Sequence, residues 1–160
     1  MTPLHEVIIN NKTTVNPVWI MRQAGRYLPE FREIRKENSN FIELCLNHKL
    51  SSEITLQPIK RFDLDAAIIF SDILMLPYGL NQKVEFKKNF GPTLGNLDIK
   101  SMSKIDEIDF VEKIYPVYKA IKSVSSEMNS KNKNTIGFVG APWTLLVYMI
   151  NQQSPKKNVK

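Results

Sequence analysis

The stretch "DAAIIFSD", Asp65 to Asp72, decides how the chain folds. Asp65 to Phe70 is a short, continuous apolar run with β-branched isoleucines at its centre and no alternation of polar and apolar positions. Runs of this kind belong to strands covered on both faces, as in parallel sheets sandwiched by helices. Two others share its character: Val15 to Met21, "VNPVWIM", whose end reads as a buried strand, and Ile136 to Val139 within "NTIGFVGAPW". Between these runs lie helical segments. "YLPEFREIRKEN" reads as a loop or broken helix in which Pro29 suits a first turn. "NSNFIELCLNHKL" opens on cap-type residues and reads as one helix, and "SEITLQPIKRF" as a second, kinked at Pro58. "QKVEFKKNFGPTLG" turns at Gly91-Pro92, as an extended excursion or a hairpin. "IDEIDFVEKIYPVYKAIKSVSSEM" carries a helical apolar face interrupted by Pro116, and "PWTLLVYMINQQ" a helix with Pro142 near its start. Strand and helix in alternation imply a parallel α/β sheet with right-handed crossovers.

Composition narrows the class. With 160 residues, 42% apolar and 24% charged, the chain reads as one globular domain. No apolar run is long enough to cross a bilayer, and "MTPLHEVIINNKTT" lacks the basic start and apolar core of a secretory signal. A single cysteine, Cys45, excludes an internal disulfide and a Cys-rich zinc module. A cytoplasmic setting is therefore expected, with no membrane partner. The net charge of +6 comes from lysines scattered along the chain, without interleaved aromatics, which argues against nucleic acid. His5, near a mobile terminus, and His48, in a polar helix end, lack the neighbours of a metal site or a nucleophile triad. No Walker loop or dinucleotide fingerprint occurs.

The chemistry collects where the apolar runs end. Met21 leads into Arg22-Gln23-Ala24-Gly25-Arg26, Phe70 into Ser71-Asp72, and Val139 into Gly140-Ala141-Pro142-Trp143. Carboxyl ends of parallel strands share one rim, so these segments should meet in space. Pro17 to Arg35 holds four of the chain's five arginines. Arginine stays ionised and offers a planar fork that fits a carboxylate or phosphate. Gly25 lets the backbone bend or approach a ligand. Arg22 and Arg26 thus make a candidate anion clamp, or else an ion-paired loop neutralised by Glu30 and Glu33. Asp72 is either a helix N-cap for "ILMLPYGL" or a buried carboxylate receiving several N–H donors. Tyr148, on the helix after the third run, either points its hydroxyl into the cleft or is simply packed.

"PVWIMRQAGRYLPE" closely resembles the first signature of the uroporphyrinogen decarboxylase family, fitting it at every fixed position. "IIFSDILMLPYGL" resembles the family's next segment and "GFVGAPWTLLVYMI" its second signature, in the family's order, to about Ile150. The resemblance implies a (β/α)8 TIM barrel and a carboxy-lyase of haem and porphyrin biosynthesis. Such an enzyme removes the four acetate carboxyl groups of uroporphyrinogen III to give coproporphyrinogen III, with no metal and no organic cofactor. By resemblance, Arg22, Arg26, Asp72 and Tyr148 contact the substrate, the backbone of Gln23 to Gly25 lines the site, and the catalytic group is Asp72 with the two arginines.

A (β/α)8 barrel typically needs about 250 residues. The chain matches only the N-terminal portion of the pattern, with about three barrel strands, and reads as a single incomplete domain over 1–160 whose residues 151–160 diverge. An incomplete barrel leaves an unpaired strand edge. The chain alone is therefore expected to be poorly stable or inactive, as half of a split enzyme completed by a C-terminal chain or as the product of a decaying gene. The full-length family is a homodimer. An inactive tetrapyrrole-binding remnant, or a relative of the corrinoid methyltransferases, is the alternative.

Overall fold

The computed structural model describes residues 1–21, 26–87 and 90–154. Its centre is the expected run. Strand β1 (Ala66–Ile68) pairs in parallel with β4 (Asn134–Ile136), with Ala67 opposite Thr135. The ladder extends one residue either way, through Asn134 N–H to the Asp65 carbonyl (3.0 Å) and Ile69 N–H to the Ile136 carbonyl (3.1 Å). The sheet is parallel and its helices cover it, as the unbroken apolar pattern requires.

Two of the three expected strands need correction. The first run is not a strand, and Val18, Trp19, Ile20 and Met21 are exposed, Met21 by 73%. Val18 is tied to Asp65: its N–H donates to Asp65 Oδ2 (2.7 Å) and its carbonyl accepts the Asp65 N–H (2.9 Å). A side-chain oxygen thus takes a donor that a ladder would use, and Pro17 before it has no N–H to offer. The third run gives the ladder only its first residue: β4 pairs through Asn134, Thr135 and Ile136, while Gly137 to Val139 lie beyond it and Val139 is 88% exposed. Backbone register with β1, not apolar character, sets where β4 lies.

Helix boundaries follow the caps. After α1 (Pro3–Ile8), capped by Thr2, comes α2 (Pro29–Glu37), an unbroken helix with Pro29 in its first turn. The expected helix across 38–50 is two helices, because Asn47 ends α3 (Phe41–Leu46) and caps α4 (His48–Phe62). Its Oδ1 accepts the N–H groups of Lys49 and Leu50, both at 3.2 Å. Asn40 caps α3 in the same manner. Asparagine satisfies orphan N–H donors at such starts, which makes it a stronger boundary than the serines at 51 and 52. Short α5 (Met75–Gly79) follows β1. The segment at 82–95 is a hairpin, β2 (Val84–Lys87) antiparallel to β3 (Gly91–Leu94), with Gly91 at φ +93° where a Cβ would be strained. Then come α6 (Ile99–Met102), α7 (Glu107–Ser130) and, after β4, α8 (Pro142–Asn151). Pro116 does not interrupt α7, which runs through 24 residues. The lost hydrogen bond is outweighed by packing of the helix on α4 and β4.

The core has two parts. Leu56, Ile59, Ala67, Ile69, Val124 and Met128 join α4, β1 and α7. Leu44, Cys45, Ile54, Phe70, Leu74, Leu145 and Met149 join α3, α4, the loop after β1 and α8. Full burial of a side chain such as Ile54 stabilises the fold by about 1.5–3 kcal/mol. Burial pushes the Cys45 thiol well above its ordinary range, with the nearby Asp72 carboxylate adding to the effect, so it packs as a small apolar group.

Candidate active site

The loop that leaves β1 opens onto a cleft of about 600 Å³. Arg26, Asp72 and Tyr148 all line it, although they come from three distant parts of the chain. Its wall is aromatic and apolar, including Phe41, Phe70, Phe86 and Phe138. Phe41 stacks edge-on against Phe70 (5.7 Å between centroids) and tilts against Phe86 (4.6 Å). This ties the hairpin to the β1 loop. Of the residues expected at the site, Arg22, Gln23, Ala24 and Gly25 lie outside the described residues.

Asp72 combines both sequence readings. It is half-buried, and its Oδ1 accepts the Leu74 N–H at 2.9 Å, closing a turn just before α5. It is not the N-cap itself; Leu74 holds that position. Burial pushes its carboxyl above the usual aspartate value, while the Leu74 N–H and the Arg26 guanidinium pull it back down. Arg26 lines the same cleft, and one of its two expected neutralising partners is engaged elsewhere. Glu30 pairs with Arg61 on α4 through two hydrogen bonds, 2.8 and 3.0 Å. The ion-paired-loop alternative loses Glu30 as a partner for Arg26.

Tyr148 projects from α8, its hydroxyl 3.3 Å from Ser154 Oγ. Gly140, in the turn before α8, lets that helix come close. A Cβ there would lie 2.8 Å from the Leu145 side chain and 3.2 Å from Ile73 Cβ. Sequence reasoning passed over Tyr27 and Ser71, which also line the cleft; both adjoin expected site residues. It also passed over two hydroxyls of α4, Ser51 and Thr55, which hold the backbone of Phe70 just before Asp72. Their spacing of four on a helix was the available signal.

The raised carboxyl of Asp72 has a consequence for stability. In the unfolded chain it loses its proton at lower pH than in the folded one, so folding is disfavoured as pH rises through that interval. Any stability from this group is complete below the unfolded value and is lost as pH rises through the folded one. Asp72→Asn keeps an acceptor for the Leu74 N–H without the charge. Thermal unfolding should place its midpoint above the parent at pH 7, by no more than about 3 °C, with the gap closing in acid. A lower midpoint at pH 7 would contradict this account.

Chemically, the site offers a carboxylate and a guanidinium across an apolar hollow large enough for part of a flat organic anion. Among the described residues, no group of three or more His, Cys, Asp or Glu stands together as a metal site would need. Nor is any described helix long and apolar enough to cross a membrane.

Residues 1–160 match the family model described as uroporphyrinogen decarboxylase (URO-D). The chain belongs to the uroporphyrinogen decarboxylase family. Proteins of that name agree with it over most of its length. The one from Agrobacterium fabrum is 46% identical over 144 residues, 89% of this chain and 42% of its own. That from Campylobacter jejuni (serotype O:2) is 45% identical over 150 residues, 92% and 44% respectively, and that from Rickettsia bellii is 48% identical over 134, 84% and 39%. The chain thus spans well under half the length of the uroporphyrinogen decarboxylases it matches. The described residues form no closed barrel, as a part of a TIM-barrel family would.

Proposed function

We propose that this chain is the N-terminal part of a (β/α)8 uroporphyrinogen decarboxylase, with a cytoplasmic site of action. The completed protein would convert uroporphyrinogen III to coproporphyrinogen III without a metal or organic cofactor. The observation that carries this reading is the half-buried Asp72 lining one largely apolar cleft together with Arg26 and Tyr148, in a chain of this family. The substrate presents acetate and propionate carboxylates at its rim and pyrrole N–H donors at its centre. Asp72 is the acceptor for the centre, and Arg22 and Arg26 hold the arms. By the family resemblance, backbone contacts to the substrate would fall on Gln23 to Gly25, and Tyr148 hydrogen-bonds an arm or steadies Asp72.

The roles follow from the chemistry. Carbon dioxide leaves an acetate arm when the electron pair of the breaking bond has a sink. A protonated pyrrole ring is that sink, and the Asp72 carboxylate stabilises the cation electrostatically in an apolar, weakly screening cleft. Pyrrole N–H donors would favour the ionised carboxyl, so binding should weaken as pH falls through the Asp72 titration. Arginine orients a carboxylate with a fixed fork, which lysine lacks. Arg26→Lys should therefore raise KM by about tenfold while leaving the thermal midpoint unchanged. A KM equal to the parent's would remove Arg26 from the clamp.

Partner requirements are part of the proposal: a polypeptide supplying the rest of the barrel, and a homodimer once complete. The deciding assay gives anaerobic uroporphyrinogen III to the purified chain, alone and with the remaining part of a relative, and resolves the products by chromatography. Coproporphyrinogen in the completed sample supports the reading. Binding without product in both samples would favour a tetrapyrrole-binding remnant.

A further inference from the structure

The sheet ladder ends at Ile69, yet the next residue is buried: Phe70 is 6% exposed and its backbone still has one donor and one acceptor to satisfy. Both partners come from a helix. Thr55 Oγ1 accepts the Phe70 N–H at 2.8 Å, and Ser51 Oγ donates to the Phe70 carbonyl at 2.6 Å. Thr55 Oγ1 in turn donates to the Ser51 carbonyl at 2.7 Å, which orients its lone pairs toward Phe70. Each of the two residues is only 1% exposed, and none of the three hydrogen bonds is open to exchange with water.

We infer that Ser51 and Thr55 are positioning residues: together they clamp the strand exit at Phe70 and thereby fix where the Asp72 carboxyl stands in the cleft. The clamp acts at the last point before the chain turns. Only Ser71 separates Phe70 from Asp72, and the next restraint is the Leu74 N–H on Asp72 itself. Helix α4 cannot yield, since Asn47 caps its start and Ile54, Leu56 and Ile59 anchor it in both parts of the core. A generic helix–strand contact would use apolar side chains. Here two hydroxyls four residues apart do what a neighbouring strand would otherwise do, at the residue just past the carboxyl end of the ladder. Without them the Phe70 amide would turn to seek another partner and carry Ser71-Asp72 with it. This rests on the reading of Asp72 as the group that meets the macrocycle.

The test uses the full chain with 13C-labelled aspartate, and Asp72→Asn assigns the Asp72 carboxyl signal. Its titration is followed in the parent, Thr55→Val, Thr55→Ser and Ser51→Ala. Among the described residues, Arg26 and the Cys45 thiol are the charged or titratable groups that interact with that carboxyl, and none of the variants alters them. The expected result is that Thr55→Val and Ser51→Ala move the Asp72 midpoint down toward the ordinary aspartate value, because a freed carboxyl gains water. Thr55→Ser, which keeps the hydroxyl, should restore the parent curve. Affinity for anaerobic uroporphyrinogen should weaken by about tenfold in the first two and recover in the third. Variants that lose thermal stability but keep the parent titration and affinity would overturn the proposal, since a merely structural hydroxyl does that. Should Thr55→Val fail to fold, Ser51→Ala decides alone, because it removes only a donor to a carbonyl. If the titrations shift as expected but the parent, completed with the remaining part of a relative, binds no uroporphyrinogen, the clamp stands and the decarboxylase reading falls.

Discussion

Asparagine in place of Asp72 is expected to slow loss of carbon dioxide from uroporphyrinogen by about a hundred- to a thousandfold, the usual effect of removing one preorganised electrostatic partner of a transition state. The assay is product formation by the chain supplied with the remainder of the family pattern. The substitution separates charge from shape. The amide oxygen of the new side chain would still accept the Leu74 N–H, so the turn before α5 survives. The negative charge facing the pyrrole centre does not. Both kcat and kcat/KM should fall, because the carboxylate interacts most strongly with the cation that forms during the reaction. A parent-like rate would mean that Asp72 is only a turn residue, and the proposed chemistry would lose its electrostatic centre.

The second large effect concerns stability. Leu74 is 1% exposed and sits in the core part that joins α3, α4, the β1 loop and α8. Leu74→Ala should destabilise the chain by about 2–5 kcal/mol, from lost transfer energy plus the cavity left behind. At this chain length that corresponds to a fall of roughly 5–15 °C in thermal midpoint. Chemical denaturation would show it as a lower midpoint with an unchanged slope. The same change on an exposed site, such as Leu146→Ala on α8, should move the midpoint very little, because Leu146 is 42% exposed. Equal effects at the two positions would show that the buried core around the β1 loop does not hold the fold together.

Local patterning was legible wherever the relevant force is local. The run at Asp65 to Phe70 announced its own strand, because continuous apolar character has few other uses at that length. Pro29 and Pro142 announced helix starts, since their missing N–H groups cost nothing there. Val15 to Met21 misled for the same reason: apolar residues show a wish for burial, not whether anything arrives to cover them. Pro116 misled in the other direction, because a helix penalty of a few kcal/mol is invisible beside the tertiary packing that overrides it.

For the site, residue types could be read from the chain and assembly could not. An aspartate after a buried strand and an arginine beside a tight turn each had two readings while considered alone. Folding brings Arg26, Asp72 and Tyr148 to one cleft and pairs Glu30 with Arg61. Ser51 and Thr55 looked like ordinary helix residues, and their service to Phe70 is a contact across distant segments. Chemical character is carried by each side chain. Which burial, which neighbour and which hydrogen-bond partner it meets depends on long-range packing, and that is where an aspartate becomes a desolvated acceptor rather than one more surface acid.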